Sequence, residues 1–270
     1  MIKILPVIIL YRQALTECRS YRTLLDGYDG KILVFDNSPE TLAPPDDPRV
    51  IYHHAPDNPG ISAGYNFAAD YAIKNDFDWL LLLDQDSEFT FPLSRCIEAI
   101  NAHPGIGLFA PAMYTAQGTP MSPVNLQTFF PTAQKMAPGK YPLAAYAPVN
   151  SGTCVAVDLF WKCGGYNEKV FLDHSDYDFM ERLSMVTEEF FLIDGAVNQD
   201  FSGDEVEPER VYTRFILFLK SARHCVWRTL RRKIKMDFFV FCRALAVGKT
   251  LNMRSKALWA YLKYFVFKGE

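Results

Sequence analysis

Asp84 and Asp86 stand one residue apart in the run LLLLDQDSEF, directly after an apolar stretch. Two carboxylates at that spacing repel each other unless something positive lies between them, and a hard divalent cation with oxygen ligands suits the gap. A calcium EF-hand does not fit, because the run lacks the glycine at its sixth position and the glutamate at its twelfth. The plainer alternative is a solvated loop in which Asp86 or Ser87 caps a helix. A second acidic group lies in FLDHSDYDFMER, where Asp173, Asp176 and Asp178 surround His174 and Arg182 follows. If a helix begins near Asp176, its N-terminus stabilises these carboxylates. One of them, held beside a substrate hydroxyl, could serve as general base; helix capping accounts for the same residues without chemistry.

Three further stretches carry polar residues at strand or helix ends. Asp36-Asn37-Ser38 follows a short apolar run, so Asp36 projects at a strand's carboxyl end, where an Asx turn is the ordinary use of such residues. Asn58-Pro-Gly60-Ile-Ser-Ala-Gly64-Tyr-Asn66 opens a helical pattern. Glycines there let backbone approach a ligand, and helix N-terminal N–H groups favour anions. The stretch is neither a dinucleotide fingerprint nor a P-loop. Asn150-Ser151-Gly152-Thr153 supplies small polar residues that could line a sugar pocket or make ordinary turns.

The elements that must position these groups alternate. Strand signals cover Ile4–Leu10, Lys31–Phe35, Val50–His53, Trp79–Leu83, Gly107–Tyr114, Thr153–Val157 and Phe190–Ile193. Helix signals cover Leu15–Leu25, Ser62–Asn75 with Ser62 as its cap, Pro92–Asn101 and Asp158–Cys163. This alternation predicts an α/β fold with a mostly parallel sheet flanked by helices. The leucine run reads as a strand covered on both faces. Ligands of open α/β sheets lie beyond the carboxyl ends of the strands, which is where Asp84 and Asp86 fall. Residues 115–146, rich in Pro, Gly, Thr and Gln, are expected to form a long irregular excursion.

The net charge of −3 conceals an asymmetry: residues 1–209 carry −16 and residues 210–270 carry +13. We therefore expect a catalytic domain over 1–209 and a separate helical extension over 210–270. Apolar residues at helical spacing, interleaved with Lys and Arg, predict helices over Arg210–Met236, Phe238–Ala246 and Lys256–Phe267. A basic amphipathic extension rich in aromatics suits an anionic membrane surface. A helical cap with a solvated basic face is the alternative. Nucleic acid is not expected as a partner, since no corresponding motif is present. The six cysteines show no C-x-x-C pair and no zinc spacing, and are read as reduced thiols of a cytosolic protein. The opening MIKILPVIILY reads as a first strand rather than a signal peptide.

In order and spacing, VIILY, FDNS, N-x-G-x-x-x-G-x-N, LLLDQDS, NSGT with GGYN, and D-x-x-D-x-D-F-x-x-R resemble the family 2 glycosyltransferases, over about residues 4–205. LLLDQDS followed by FLDHSDYDF is most similar to the bacterial rhamnosyltransferase branch. The resemblance implies a GT-A fold, Rossmann-like, and an inverting hexosyltransferase. Its donor would be a nucleotide diphosphate sugar, best dTDP-rhamnose. Its acceptor would be a lipid-linked or oligosaccharide hydroxyl in O-antigen, capsule or other surface polysaccharide synthesis. It implies that Asp36 meets the nucleobase, that Asn58, Gly60, Gly64 and Asn66 shape the nucleotide cradle, and that Asp84 lies near ribose and metal. Asp86 would ligate Mg²⁺ or Mn²⁺, Ser151 and Gly152 would border the sugar, and Asp176 would be the base supported by Asp178 and Arg182. The enzyme would sit in the cytoplasm, peripheral on the inner face of the cell membrane.

Two departures from the family pattern stand out. Many relatives place a histidine ligand where this chain has Gln199, in the run Asn198-Gln199-Asp200-Phe201-Ser202-Gly203. Gln199 could ligate through its carbonyl oxygen, with Asp200 compensating. Relatives often place Glu before the base, where this chain has Ser175. The readings that remain beside this one are the same chemistry with a UDP-sugar (galactose, galactofuranose or GlcNAc) and a non-catalytic, nucleotide-binding, membrane-associated scaffold.

Overall fold

The computed structural model describes residues 2–25, 28–41, 46–199, 207–267 and 269. The chain opens with β1 (Ile4–Leu10), α1 (Arg19–Leu24), β2 (Ile32–Asp36), β3 (Val50–His54), α2 (Ile61–Lys74) and β4 (Trp79–Asp84). It continues through β5 (Glu88–Phe89), α3 (Ser94–Ala102) and β6 (Leu108–Thr115). The excursion then carries β7 (Pro120–Ser122), β8 (Val124–Asn125), β9 (Thr132–Ala133), β10 (Gly139–Pro142) and β11 (Tyr146–Ala147). β12 (Cys154–Ala156), α4 (Val157–Lys162), α5 (Ser175–Leu183) and β13 (Glu189–Gln199) complete the sheet domain. α6 (Pro208–Ala222), α7 (Leu230–Thr250), α8 (Arg254–Ala260) and a π-helical turn at Tyr261–Val266 form the extension.

The main sheet runs β10-β13-β6-β12-β4-β1-β2-β3, with β5 added on β13 and β7 on β6. β3, β2, β1 and β4 are parallel, as are β13 and β6; β12 lies antiparallel between β4 and β6. The leucine run is buried on both faces because it sits mid-sheet. Leu80 and Leu82 join Val7, Leu33 and Tyr65 on one face, while Leu81 and Leu83 join Ile8, Val34 and Phe109 on the other. The strand therefore cannot slip by one residue without exchanging two packed surfaces, and the position of Asp84 at its end is fixed.

Three expectations need correction. Residues 115–146 are not irregular throughout: β8, β9 and β11 form a small antiparallel sheet, and β7 and β10 extend the main one. Ser62 does not cap α2; Gly60 holds that position, and the Ser62 hydroxyl donates to the carbonyl of Val170 at 2.7 Å. The first break in the extension falls between α6 and α7 rather than at residue 237. The run His224–Thr229 that breaks it carries no helix-breaking residue, so tertiary contacts decide it. The extension has its own core of Phe215, Leu219, Val240, Ala244, Val247, Ala257 and Ala260. The six cysteines are free thiols, and no described helix is long and apolar enough to cross a membrane.

Candidate active site

A cavity of about 1020 Å³ opens beyond the carboxyl end of β4. Its lining includes Asp84, Asp86, Asn150, Asp176 and Gln199 from the sheet domain, and Arg214, Phe215, Phe218, Phe239 and Arg243 from the extension. Four of the residues expected to do chemistry thus meet in one place, although they come from β4, the turn after it, α5 and β13.

Asp84 is held from several sides. Its backbone pairs with β1 at Ile9, its carbonyl accepts the Ser20 hydroxyl at 2.8 Å, and its N–H donates to Ser151 Oγ at 3.2 Å. Ser151 donates in turn to Ser87 Oγ at 2.6 Å. Burial, then the negative charges of Asp86 and Asp176, push the Asp84 carboxyl up to about 7. Burial likewise raises Asp176 to about 6, against the opposing hydrogen bond from the Tyr177 N–H at 2.8 Å. Gln199 donates from its amide nitrogen to Asp86 Oδ1 at 2.8 Å. Burial is the largest cause of the raised proton affinity of both Asp84 and Asp176, and buried carboxylates of this kind are candidates for functional groups.

The donor set fits a hard divalent ion. Asp84 and Asp86 supply carboxylate oxygens, and turning over the terminal amide of Gln199 presents its carbonyl to the same point. Among the described residues no three His, Cys, Asp or Glu side chains form a metal cage, so the set here is two carboxylates and one amide. Asp200 lies outside the described residues, as do Phe201, Ser202 and Gly203.

The other expected residues are not among those that line the cavity. Asp36 sits at the same sheet edge, paired in register with Leu10 beside the Ile9–Asp84 pair. Its carboxylate accepts the Ser38 N–H at 2.9 Å and the Tyr52 hydroxyl. Asn58 takes a left-handed turn at φ 46°. The close backbone approach at Gly60 (φ 91°) is made by the chain's own Phe171, whose carbonyl oxygen would lie 2.6 Å from a Cβ there. Gly64 is small because Ile9 and Phe35 pack against it, so it serves helix-to-sheet contact. Asn66 accepts the Tyr166 N–H at 2.7 Å and donates to the Tyr166 carbonyl at 2.9 Å, fixing the Gly164-Gly165 turn to α2. Gly152, at φ 82°, turns the chain tightly under Pro111 and Phe89, and its N–H donates to Leu82.

Asp178 and Arg182 lock α5. Their ion pair spans 2.9 Å, and Arg182 also donates to the carbonyls of Cys163 and Gly165. Asp178 accepts the Val226 N–H at 2.7 Å, and buried Glu181 accepts the Arg228 N–H at 2.7 Å and pairs with Arg232. These bonds explain the helix break: the amides of 226 and 228 are satisfied by α5 instead of by helical carbonyls. Sequence reasoning named Asp178, Arg182 and, as a possible sugar-pocket residue, Asn150, but not Glu181, Arg232 or the aromatic wall of the extension. A buried acid on the apolar side of α5 was the one available signal for Glu181.

No protein-family model and no curated protein matches the chain. Solved structures do resemble it. The crystal structure of GalNAc-T7 with UDP, GalNAc and Mn²⁺ superposes with a TM-score of 0.59 over 98% of this chain at 9% identity. S. aureus TarS 1-349 in complex with UDP-GlcNAc gives 0.57 over 97% at 13% identity, spanning 79% of that structure. S. aureus TarS in its longer form gives 0.53 over 91% at 13% identity. The chain spans 57% of the GalNAc-T7 structure and 44% of the longer TarS one. What is shared is the architecture, a largely parallel sheet flanked by helices as in glycosyltransferases of the GT-A fold.

Proposed function

We propose that the protein is an inverting glycosyltransferase that moves a sugar from a nucleotide diphosphate donor to an acceptor hydroxyl. The observation that carries this reading is the convergence of Asp84, Asp86, Gln199 and Asp176 on one cavity in a GT-A-like fold. Asp176, at the first turn of α5, takes the proton from the acceptor hydroxyl. The resulting oxygen attacks the anomeric carbon as the bond to the diphosphate breaks, and the configuration inverts in one displacement. Asp84, Asp86 and Gln199 would hold Mg²⁺ or Mn²⁺. Such an ion, when bound, neutralises charge developing on the departing diphosphate. Asp36 and Asn58 border the sheet edge where the nucleotide would lie.

The best donor is dTDP-rhamnose, on the form of the LLLDQDS and FLDHSDYDF runs. A UDP-sugar is the second reading, favoured by the ligands of the GalNAc-T7 and TarS structures. Thermal unfolding with each nucleotide sugar, with and without Mn²⁺, separates them. A donor at 100 times its Kd adds about 2.7 kcal/mol, a shift on the order of 5–10 °C for a chain of this size. A Mn²⁺-dependent shift with dTDP-rhamnose supports the first reading, and one with a UDP-sugar supports the second. No shift with any donor removes the transferase reading.

The acceptor in this reading is a lipid-linked surface glycan, met at the cytoplasmic membrane face. α7 supports membrane contact: Leu230, Ile234, Phe238 and Leu245 lie on one helical face, and the first two are 72% and 60% exposed. Arg231 and Lys249 flank that face, and Phe129 extends it by packing edge-on to Phe238. The protein is expected to float with vesicles containing phosphatidylglycerol and to lose that association when Ile234 and Phe238 are both changed to Glu. Equal flotation of the double variant would discard α7 as the contact.

A further inference from the structure

The cavity also carries polar groups that the donor reading does not use. His174 lines it, is 7% exposed, and has no hydrogen-bond partner at either ring nitrogen. Burial holds its proton affinity down to about 4, so the ring is neutral near pH 7, with one nitrogen donating and the other accepting. Next to it, Asp173 Oδ2 is also buried without a partner, while Oδ1 accepts Arg214 Nη2 at 3.2 Å. Native proteins rarely leave buried polar atoms unpaired, because each loses its hydration without return. Here three such atoms occupy two successive residues, two positions before the proposed base.

The backbone at this point is unusual as well. His174 takes a left-handed conformation at φ 70°, which side chains other than Asn, Asp and His seldom adopt. Its carbonyl accepts the Asp178 N–H at 2.9 Å, so the bend is built into the start of α5. Its ring packs on Phe218 with centroids 4.6 Å apart. Beyond Phe218 the wall is mainly apolar, made by Phe215, Met236, Phe239 and Val247 of the extension, with Arg243 one turn from Phe239. A ligand for this region therefore needs hydroxyl groups at one end, to pair with a donor–acceptor imidazole and a carboxylate oxygen. It needs an apolar body at the other.

We propose that Asp173, His174 and Phe218 form a binding subsite for a sugar ring carrying an apolar aglycone, and that this is the acceptor subsite. Only the word acceptor rests on the transferase reading above; the sugar site stands on the unpaired atoms and the aromatic wall. The subsite holds the ring by its hydroxyls at His174 and Asp173, and one further hydroxyl then reaches Asp176. The extension supplies the apolar half, which ties the choice of acceptor to residues 215–239.

The test uses the full chain and n-octyl β-D-glucopyranoside below its micelle-forming concentration. Binding is measured by titration calorimetry, and the His174 ring nitrogens are followed by ¹⁵N NMR. Wild type is expected to bind, with His174 ring resonances moving along the isotherm. His174→Phe keeps the ring on Phe218 but removes both polar atoms, and binding is expected to weaken about tenfold, the loss of one or two hydrogen bonds. His174→Gln, which retains a donor and an acceptor, is expected to recover part of it. Equal affinity for wild type and His174→Phe, unmoved ring resonances, or no binding to wild type overturns the proposal. Should His174→Phe fail to fold, the ring resonances of wild type decide. Glucoside binding that depends on His174, without any donor shift, supports the subsite and overturns the transferase reading. A donor shift without glucoside binding overturns the subsite and leaves that reading standing.

Discussion

Asp176→Asn is expected to lower transfer by about a thousandfold while leaving donor binding intact and making the protein more stable at pH 7. The loss is the one expected of the proposed general base, since such a group contributes on the order of 10²–10⁴ in rate. Donor binding survives because Asp84, Asp86 and Gln199 sit on other elements, β4, the turn after it and β13. The gain in stability follows from charge: Asp176 is raised by burial to about 6, so its ionised form is disfavoured in the fold at neutral pH. Asn keeps the size and still accepts the Tyr177 N–H. Removing the charge also relieves Asp84, whose carboxyl is raised in part by Asp176. The rise from the usual 3.8 to about 6 corresponds to roughly 3 kcal/mol. Since Asp176 keeps part of its surface open to the cavity, about 1–2 kcal/mol is expected. Donor titration, product formation and thermal unfolding check the three parts. Transfer at the wild-type rate would remove Asp176 from the base role.

The sign of the pH dependence is opposite for rate and for stability. The folded-state affinity of Asp176, about 6, lies above the usual 3.8. Between those values the folded protein retains a proton that the unfolded chain releases. The contribution of Asp176 to stability is therefore full below about pH 4 and lost as pH rises through 6. In the proposed role as base Asp176 acts in its ionised form, so the transfer rate is expected to rise through the same window. For Asp176 the same proton thus acts in opposite directions on stability and on rate, and Asp84, raised to about 7, extends the window upward.

Residues whose place in the fold follows from local order were legible in the sequence. The leucine run could be placed because unbroken apolar residues need cover on both faces, and the two aspartates at its end followed. The acidic cluster at 173–178 was visible for the same reason: too many charges fall at one helix start. Residues whose role depends on what packs above them were not legible. Gly60, Gly64 and Asn66 have the spacing of a ligand cradle, yet Phe171, Ile9 with Phe35, and Tyr166 fill the space they leave. The direction of β12 was not legible, because its apolar pattern is the same either way; its antiparallel pairing is set by neighbours β4 and β6. The charge asymmetry marked the extension as distinct, but not that its acid partners would lie inside α5.

Those partners give the second large effect: Glu181→Ala is expected to destabilise the protein by about 3–5 kcal/mol. Glu181 is 3% exposed, accepts the Arg228 N–H at 2.7 Å, and pairs with Arg232, which also donates to the Ala144 carbonyl. Removing buried Glu181 leaves Arg232, whose side chain is 21% exposed, with the Ala144 carbonyl but no carboxylate, which puts the cost at the lower end of that range. The Arg228 amide, already outside the helical ladder, loses its acceptor as well. For a chain of 270 residues this lowers the unfolding midpoint on the order of 10 °C. Replacing both partners with apolar residues of similar length, Glu181→Leu with Arg232→Met, is expected to recover most of the loss, because neither charge is then stranded. Recovery would separate charge burial from packing: if the double variant is as unstable as Glu181→Ala, the clasp acts through shape and the ionic account is wrong. Activity should fall further than stability in Glu181→Ala at temperatures where the protein stays folded. Asp176 and Glu181 share α5, and the same clasp seats Phe215, Phe218 and Phe239 on the cavity. A loosened extension would therefore displace the base and the apolar wall together, although neither is touched by the substitution.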